Sequence, residues 1–283
     1  MLLPSHPWLF AVLGAGLVPP TVHVPAPTGT YGPFVHHALD LVEESGMLMH
    51  PYPVPDELRV LEGARGAQLT VRSFCTDKLR QGRVLLLDGG PSLQVLNICL
   101  FPRLDLPLPT FSADLVTLPG GSLVAIDCQP NGVPPRPCAH AEAALDAAFA
   151  RHRPRLPDGG RIPPDTARFF SPRFLWSRLP AEMSAVQIQE LLLPAFEDYL
   201  RAYLKLVADA SPLMDRADLD AVHAAQLEYS RYRTEQDPAR PMLSRIFGKH
   251  ETERLLREVL FDLPLVLQGD RIGGLQSAPQ HAT

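Results

Sequence analysis

Two polar side chains interrupt the most apolar part of this 283-residue chain: Asn97 in the run V-L-N-I-C-L and Asp114 in the run F-S-A-D-L-V-T-L. Left unpaired inside a strand, such a group costs several kcal/mol, roughly 2–7 on transfer scales, and Asp is depleted from strands on packing grounds. Something must compensate both. One solution is structural: an arginine, Arg103 or Arg83, meets Asp114 while Asn97 bonds backbone across a sheet. The other is chemical: both line a pocket in which Asp114, its pKa raised by loss of water, gives a proton to a bound substrate. The residues alone leave both open. Strand alternation puts Ser112 on the face of Asp114, and Asn97 on a face with Val95 and Cys99.

Asp237 is a second acid of interest. It precedes Pro238 in E-Q-D-P-A-R at 235–240, where it is expected to act as an N-cap with Pro238 at N1, a role worth roughly 1 kcal/mol. Four residues earlier, Arg233 closes the stripe Leu219, Val222, Gln226, Tyr229, Arg233, which a helix over about 218–234 brings onto one face. That stripe turns from apolar to polar along its length. From 151 to 178 the chain carries seven arginines against two aspartates. They are either solvated loop or a docking patch for an acidic partner.

The elements that must position these groups are legible from pattern. Residues 92–130 hold three apolar runs divided by a proline-rich crossing and the turn L-P-G-G, the signature of buried strands. Residues 68–75 and 83–87 read as earlier strands, and D-G-G at 88–90 as a hairpin turn. Connections this short require antiparallel pairing. Helices are expected over 34–47, 139–151 and 251–260, and Pro194 is expected to open the strongest one at N1, with Phe196, Tyr199, Leu200, Tyr203, Leu204 and Val207 as its packed stripe. Residues 1–30 lack Lys, Arg, Asp and Glu and fit neither a secretory signal nor a transit peptide.

Composition excludes several functions. With 46% apolar residues and no window near 18 unbroken apolar residues, the chain is not an integral membrane protein. A net charge of -5 argues against nucleic acid. The four cysteines, at 75, 99, 128 and 138, have no C-x-x-C pair, so neither a zinc site nor an iron–sulfur cluster is expected.

Three motifs in order carry a resemblance: F-P-R with S-A-D-L-V-T-L-P-G-G-S-L-V-A-I-D-C-Q-P at 101–130, F-F-S-P-R-F-L-W-S-R-L-P at 169–180, and Y-R-T-E-Q-D-P-A-R-P-M-L-S-R-I-F-G at 232–248. Together they resemble the ferredoxin-dependent bilin reductases over about 33–263. The resemblance implies an α/β fold, a three-layer α/β/α sandwich with a central antiparallel sheet flanked by helices. Length and the lack of a linker after Tyr31 favour one domain at 31–265, between an expected poorly ordered extension (1–30) and disordered tail (266–283). A linear tetrapyrrole is expected between the sheet and the C-terminal helices. No cofactor is bound; reduced ferredoxin supplies single electrons and the protein supplies protons to a bilin radical.

Residue by residue, the family's strand aspartate falls on Asp114 and its second acid on Asp237. Arg233 matches an arginine near the pigment, and Gln226 joins Asn97 and Ser112 as substrate-binding. Asn97 stands where phycocyanobilin-forming members have histidine, so their chemistry is not expected, and Ser112 stands where relatives usually have glycine. Ferredoxin docking is expected at Arg151, Arg153, Arg155, Arg161, Arg168 and Arg173. The implied reaction reduces the A-ring diene of 15,16-dihydrobiliverdin to phycoerythrobilin. The alternatives are phytochromobilin-type reduction of biliverdin and a carrier that keeps the pocket without turnover. Another bilin reductase is a candidate for substrate hand-over, and a soluble monomer is expected, in the plastid stroma of an alga or the cytoplasm of a cyanobacterium.

Overall fold

Five successive strands, each closed by a short turn, build most of the sheet. A computed structural model describes residues 27–130 and 139–269, without the side chains of 139–141. In chain order come α1 (Gly32–Glu44), β1 (His50–Pro51), α2 (Asp56–Arg59), β2 (Val60–Glu62), β3 (Gln68–Cys75), β4 (Leu79–Asp88), β5 (Gln94–Pro102), β6 (Thr110–Leu118), β7 (Gly121–Gln129), α3 (Ala139–His152), α4 (Pro164–Ala167) and β8 (Leu175–Leu179). The long α5 (Ala185–Asp209) and α6 (Arg216–Gln236) follow, then α7 (Arg240–Phe247), α8 (Lys249–Arg254) running into a π-helical turn at Leu255–Leu260, and α9 (Leu263–Gln268).

The strand order is β1-β3-β4-β5-β6-β7-β8, with β2 beside β3, and every pairing is antiparallel. Tight turns decide this, since antiparallel neighbours need only a few connecting residues. At the β6–β7 turn Gly121 has φ 117°, and a Cβ there would lie 2.2 Å from the Leu179 carbonyl oxygen of β8. Only glycine lets β8 reach the edge of β7 at that point.

Period-two alternation gives the sheet two working faces. Leu96, Ile98, Leu100, Ala113, Leu115, Val124 and Ile126 point to one, where they pack with α1, α3 and α5. Leu69, Val71, Leu85, Leu87, Val95, Cys99 and Phe101 point to the other, under Tyr229 of α6, Leu243 of α7, the π-helical turn and Phe261. The three-layer sandwich is therefore as expected. The second face is tied to the N-terminal segment by a buried group: Arg80 Nη1 donates to Asp262 Oδ1 at 2.9 Å and the Tyr52 hydroxyl donates to Asp262 Oδ2 at 2.7 Å.

Several elements depart from the pattern reading. Pro194 does not open its helix. It lies inside α5, which begins nine residues earlier because Ser184 and Gln187 form a capping box, each bonding the other's backbone N–H. Pro194 is exposed, as is Glu190, whose carbonyl it leaves without its helix donor. Ser184→Ala should cost about 1 kcal/mol of stability in urea unfolding. α6 starts earlier than expected, with Asp215 as N-cap accepting from Ala217 and Asp218 N–H. The arginine-rich stretch is not all loop, since it contains α4 and the edge strand β8. Ordered helix runs past 265, to Gln268; most of the expected N-terminal extension and tail lies outside the described residues. No helix among the described residues is long and apolar enough to cross a membrane.

Candidate functional site

The site is a set of cross-strand rows on the second face. One row runs Leu85, Asn97, Asp114, Ala125, Trp176 from β4 to β8, and the next runs Arg83, Cys99, Ser112, Asp127. Directly opposed residues in an antiparallel pair hold their Cβ atoms about 4.5–5.5 Å apart, so the two polar interruptions of the sequence meet. Asn97 Nδ2 donates to Asp114 Oδ1, and Asn97 Oδ1 accepts from Arg83 Nη2 at 2.6 Å. Arg83 is fully buried, donates to the Leu260 carbonyl and lies over the rings of Phe101 and Phe261.

The structural and chemical solutions thus share residues. Arg83 anchors the pair, yet only through Asn97; Arg103 instead pairs with Asp105 at 2.7 Å, and Asn97 bonds side chains rather than backbone. Burial raises the pKa of Asp114; Arg233, the Asn97 bond and Arg83 pull it down, Asp237 adds to the rise, and the net direction is upward. Asp114 and Asn97 remain half-buried, as do Val116, Leu123, Ala125 and Trp176 around them.

Facing this platform, α6 presents Gln226, Tyr229 and Arg233, as its stripe requires. Gln226 is 3% exposed, and neither amide atom has a hydrogen-bond partner among the described residues. Arg233 Nε is also unpartnered there, while its Nη2 lies 3.5 Å from Asp237 Oδ2. Burial alone would lower the Arg233 pKa, but Tyr229, Asp237 and Asp114 outweigh it and keep the guanidinium charged. A buried amide with four unused bonds is costly unless something polar enters. The arrangement suits a planar polar ligand between sheet and helix, with a carboxyl on each side of it.

Asp237 is not the N-cap that the sequence suggested. It is the C-cap of α6, and its Oδ1 accepts the Ala239 N–H at 2.8 Å in a turn that precedes α7, whose N-cap is Ala239. Pro238 holds Asp237 extended, with ψ at 121°, and Pro241 is the proline of the first turn. Ser112 is buried and accepts from Cys99 Sγ at 3.6 Å.

Sequence reasoning missed Asp127. It is 1% exposed and accepts from Ser171 N at 2.7 Å and from the Ser171 hydroxyl, which joins D-C-Q-P to F-F-S-P. That bond starts a segment in which Phe170, Phe174 and Trp176 stack, with centroids 3.9 and 5.9 Å apart. Burial pushes the Asp127 carboxyl from 3.8 to about 6, against the Ser171 bonds and Arg173. A pKa raised on folding contributes stability below the unfolded value that is lost as pH rises through the folded one. Asp127→Asn should therefore stabilise the protein at pH 7.5 by about 1–3 kcal/mol and flatten the fall in stability between pH 4 and 6, read by urea unfolding at each pH.

The arginines expected to dock ferredoxin divide. Arg151 pairs with Asp198 at 2.8 Å, Arg168 with Glu228 at 2.6 Å and Arg173 with Asp146 at 2.5 Å, while Arg153 donates to the Leu156 carbonyl. Arg155 and Arg161 are exposed and have no such partner among the described residues.

Comparison with known proteins agrees in both sequence and fold. The family profile described as "Ferredoxin-dependent bilin reductase" matches residues 38–262. A phycoerythrobilin:ferredoxin oxidoreductase of Nostoc punctiforme is 41% identical over 82% of this chain and 93% of its own length, and one of Gloeobacter violaceus is 40% identical over 82% and 95%. The crystal structure of tomato phytochromobilin synthase in complex with biliverdin superposes with a TM-score of 0.74 at 26% identity, covering 82% of this chain and 83% of that one.

Proposed function

Because this chain belongs to the ferredoxin-dependent bilin reductases, we propose that it reduces 15,16-dihydrobiliverdin to phycoerythrobilin in two one-electron steps. Each electron comes from reduced ferredoxin, and each is matched by one proton. The observation that carries this assignment is the pair of carboxyls on either side of the cleft: Asp114, tethered by Asn97 on the sheet, and Asp237, beside Arg233 on α6.

Each residue then has a chemical task. Asp114, with its raised pKa, holds a proton at neutral pH more readily than an ordinary aspartate and delivers it to the pigment radical. Arg233 keeps its charge and stabilises negative charge as the pigment accepts an electron. Gln226 gives the pyrrole and lactam groups the bonds its amide lacks among the described residues. Arg83 and Asn97 hold the Asp114 carboxyl in one orientation, and Ser112 shapes the floor. The neighbour that holds biliverdin supports a second substrate reading, phytochromobilin-type reduction of that pigment, but the curated relatives near 40% identity favour the first. The compartment would be that of ferredoxin, cyanobacterial cytoplasm or algal stroma.

Anaerobic incubation with reduced ferredoxin and each pigment in turn, with products separated by chromatography, tests the assignment. Consumption of 15,16-dihydrobiliverdin with phycoerythrobilin as product is expected. Turnover of biliverdin alone would transfer the assignment to the second reading, and binding without consumption of either would make the chain a carrier.

A further inference from the structure

Three arginines expected to dock ferredoxin, Arg151, Arg168 and Arg173, are already paired within their own chain, and two of the three lie away from the site. Arg151 and Arg173 pair with residues of α5 and α3, on the face of the sheet away from the site. A donor there would stand behind a helix layer roughly 10 Å thick and then the sheet itself. The edge strand β8 offers a shorter path.

On β8, Leu175, Ser177 and Leu179 are buried, whereas Trp176 and Arg178 point to the site's face, Trp176 half-buried and Arg178 exposed. Trp176 is two strands from Asp114 in the same row, about 10 Å at one strand spacing each. The preceding connection is pinned against this ring. Trp176 Nε1 donates to the Gly160 carbonyl at 3.0 Å, and a Cβ on Gly159 would fall 2.4 Å from the indole. Arg161 follows at once and is exposed. Neither Arg161 nor Arg178 has an acidic partner among the described residues. Two uncompensated cations therefore flank a stack of three aromatic rings at the open end of the site.

We infer that ferredoxin docks on the β8 edge, with Arg161 and Arg178 contacting its acidic surface and Trp176 lying between donor and pigment. This rests on the ferredoxin dependence proposed above, and replaces the broader arginine patch with a two-residue centre. Each encounter oxidises the donor by one electron and reduces the pigment by one; no group on β8 gains or loses a bond.

The test uses the full chain with Arg161→Glu and Arg178→Glu combined, and Arg151→Glu with Arg168→Glu combined as the comparison. Turnover is measured against ferredoxin concentration at low and high salt, and again with dithionite-reduced methyl viologen as donor. The first variant should raise the KM for ferredoxin by about tenfold or more at low salt, within the range that electrostatic steering commands. That increase should shrink with salt, while viologen-driven turnover and the bound-pigment absorbance stay at wild-type values. The comparison variant should change the ferredoxin KM less than about threefold, because each arginine it removes is already paired. An unchanged ferredoxin KM in the first variant, or a larger rise in the second, would overturn the inference. Failure of the wild type to reduce pigment with either donor would strike at the reductase activity itself, and the docking surface would fall with it.

Discussion

Asp114→Asn should bind pigment with the wild-type absorbance and reduce it about 10²- to 10⁴-fold more slowly, the range set by loss of a placed proton donor. The amide fills the same space, and its oxygen can still accept from Asn97 Nδ2 while Asn97 Oδ1 keeps its bond from Arg83, so the loss isolates the acid from the shape. Stability should not fall, because replacing a carboxyl whose pKa is raised by burial removes a desolvation cost. Rapid mixing of the pigment complex with reduced ferredoxin reads the effect directly. Near wild-type turnover would reduce Asp114 to a partner of the Arg83–Asn97 pair.

Asp237→Asn should separate the two proton steps. Asparagine keeps an oxygen for the Ala239 N–H, so the turn into α7 survives, and the cost in unfolding is that of the lost charge opposite Arg233, about 1–3 kcal/mol. What it lacks is a transferable proton on the helix side of the cleft. The first electron still arrives and Asp114 still acts, so an organic radical should accumulate and yield little product, visible by electron paramagnetic resonance in freeze-quenched mixtures. A stable variant with normal product yield would leave both protons to Asp114.

The two acids were visible in the sequence for different reasons. Asp114 and Asn97 stood out because a strand's alternation makes any polar residue on an apolar face conspicuous, but their direct opposition was not legible, since a seven-residue crossing at 103–109 leaves the register open. Asp237 was singled out but misread locally: the D-P pair looks like a helix start, but Pro238 fixes an extended residue and the helix waits for Arg240. The start of α5 was misread because Pro194 is a louder signal than S-A-V-Q, although the quieter capping box decides. Asp127 was passed over because its partner, Ser171, lies 44 residues away, beyond any local pattern. The lack of a partner for Gln226 among the described residues and the pairing of Arg151, Arg168 and Arg173 depend on which surfaces the fold brings together, which spacing along the chain does not encode. The β8 strand was hidden by the charge around it, since five residues with alternating burial carry too little apolar signal to stand out from a run of arginines.

We propose that Asp114, whose pKa burial raises, carries its proton before the electron arrives and gives it up to the pigment radical. Infrared difference spectroscopy of the pigment complex, wild type against Asp114→Asn, addresses this at neutral pH before and after one-electron reduction. A protonated carboxyl band present in the wild type, absent from the variant and bleached as the radical forms is the predicted result. A wild-type spectrum in which Asp114 is already ionised before reduction would contradict it.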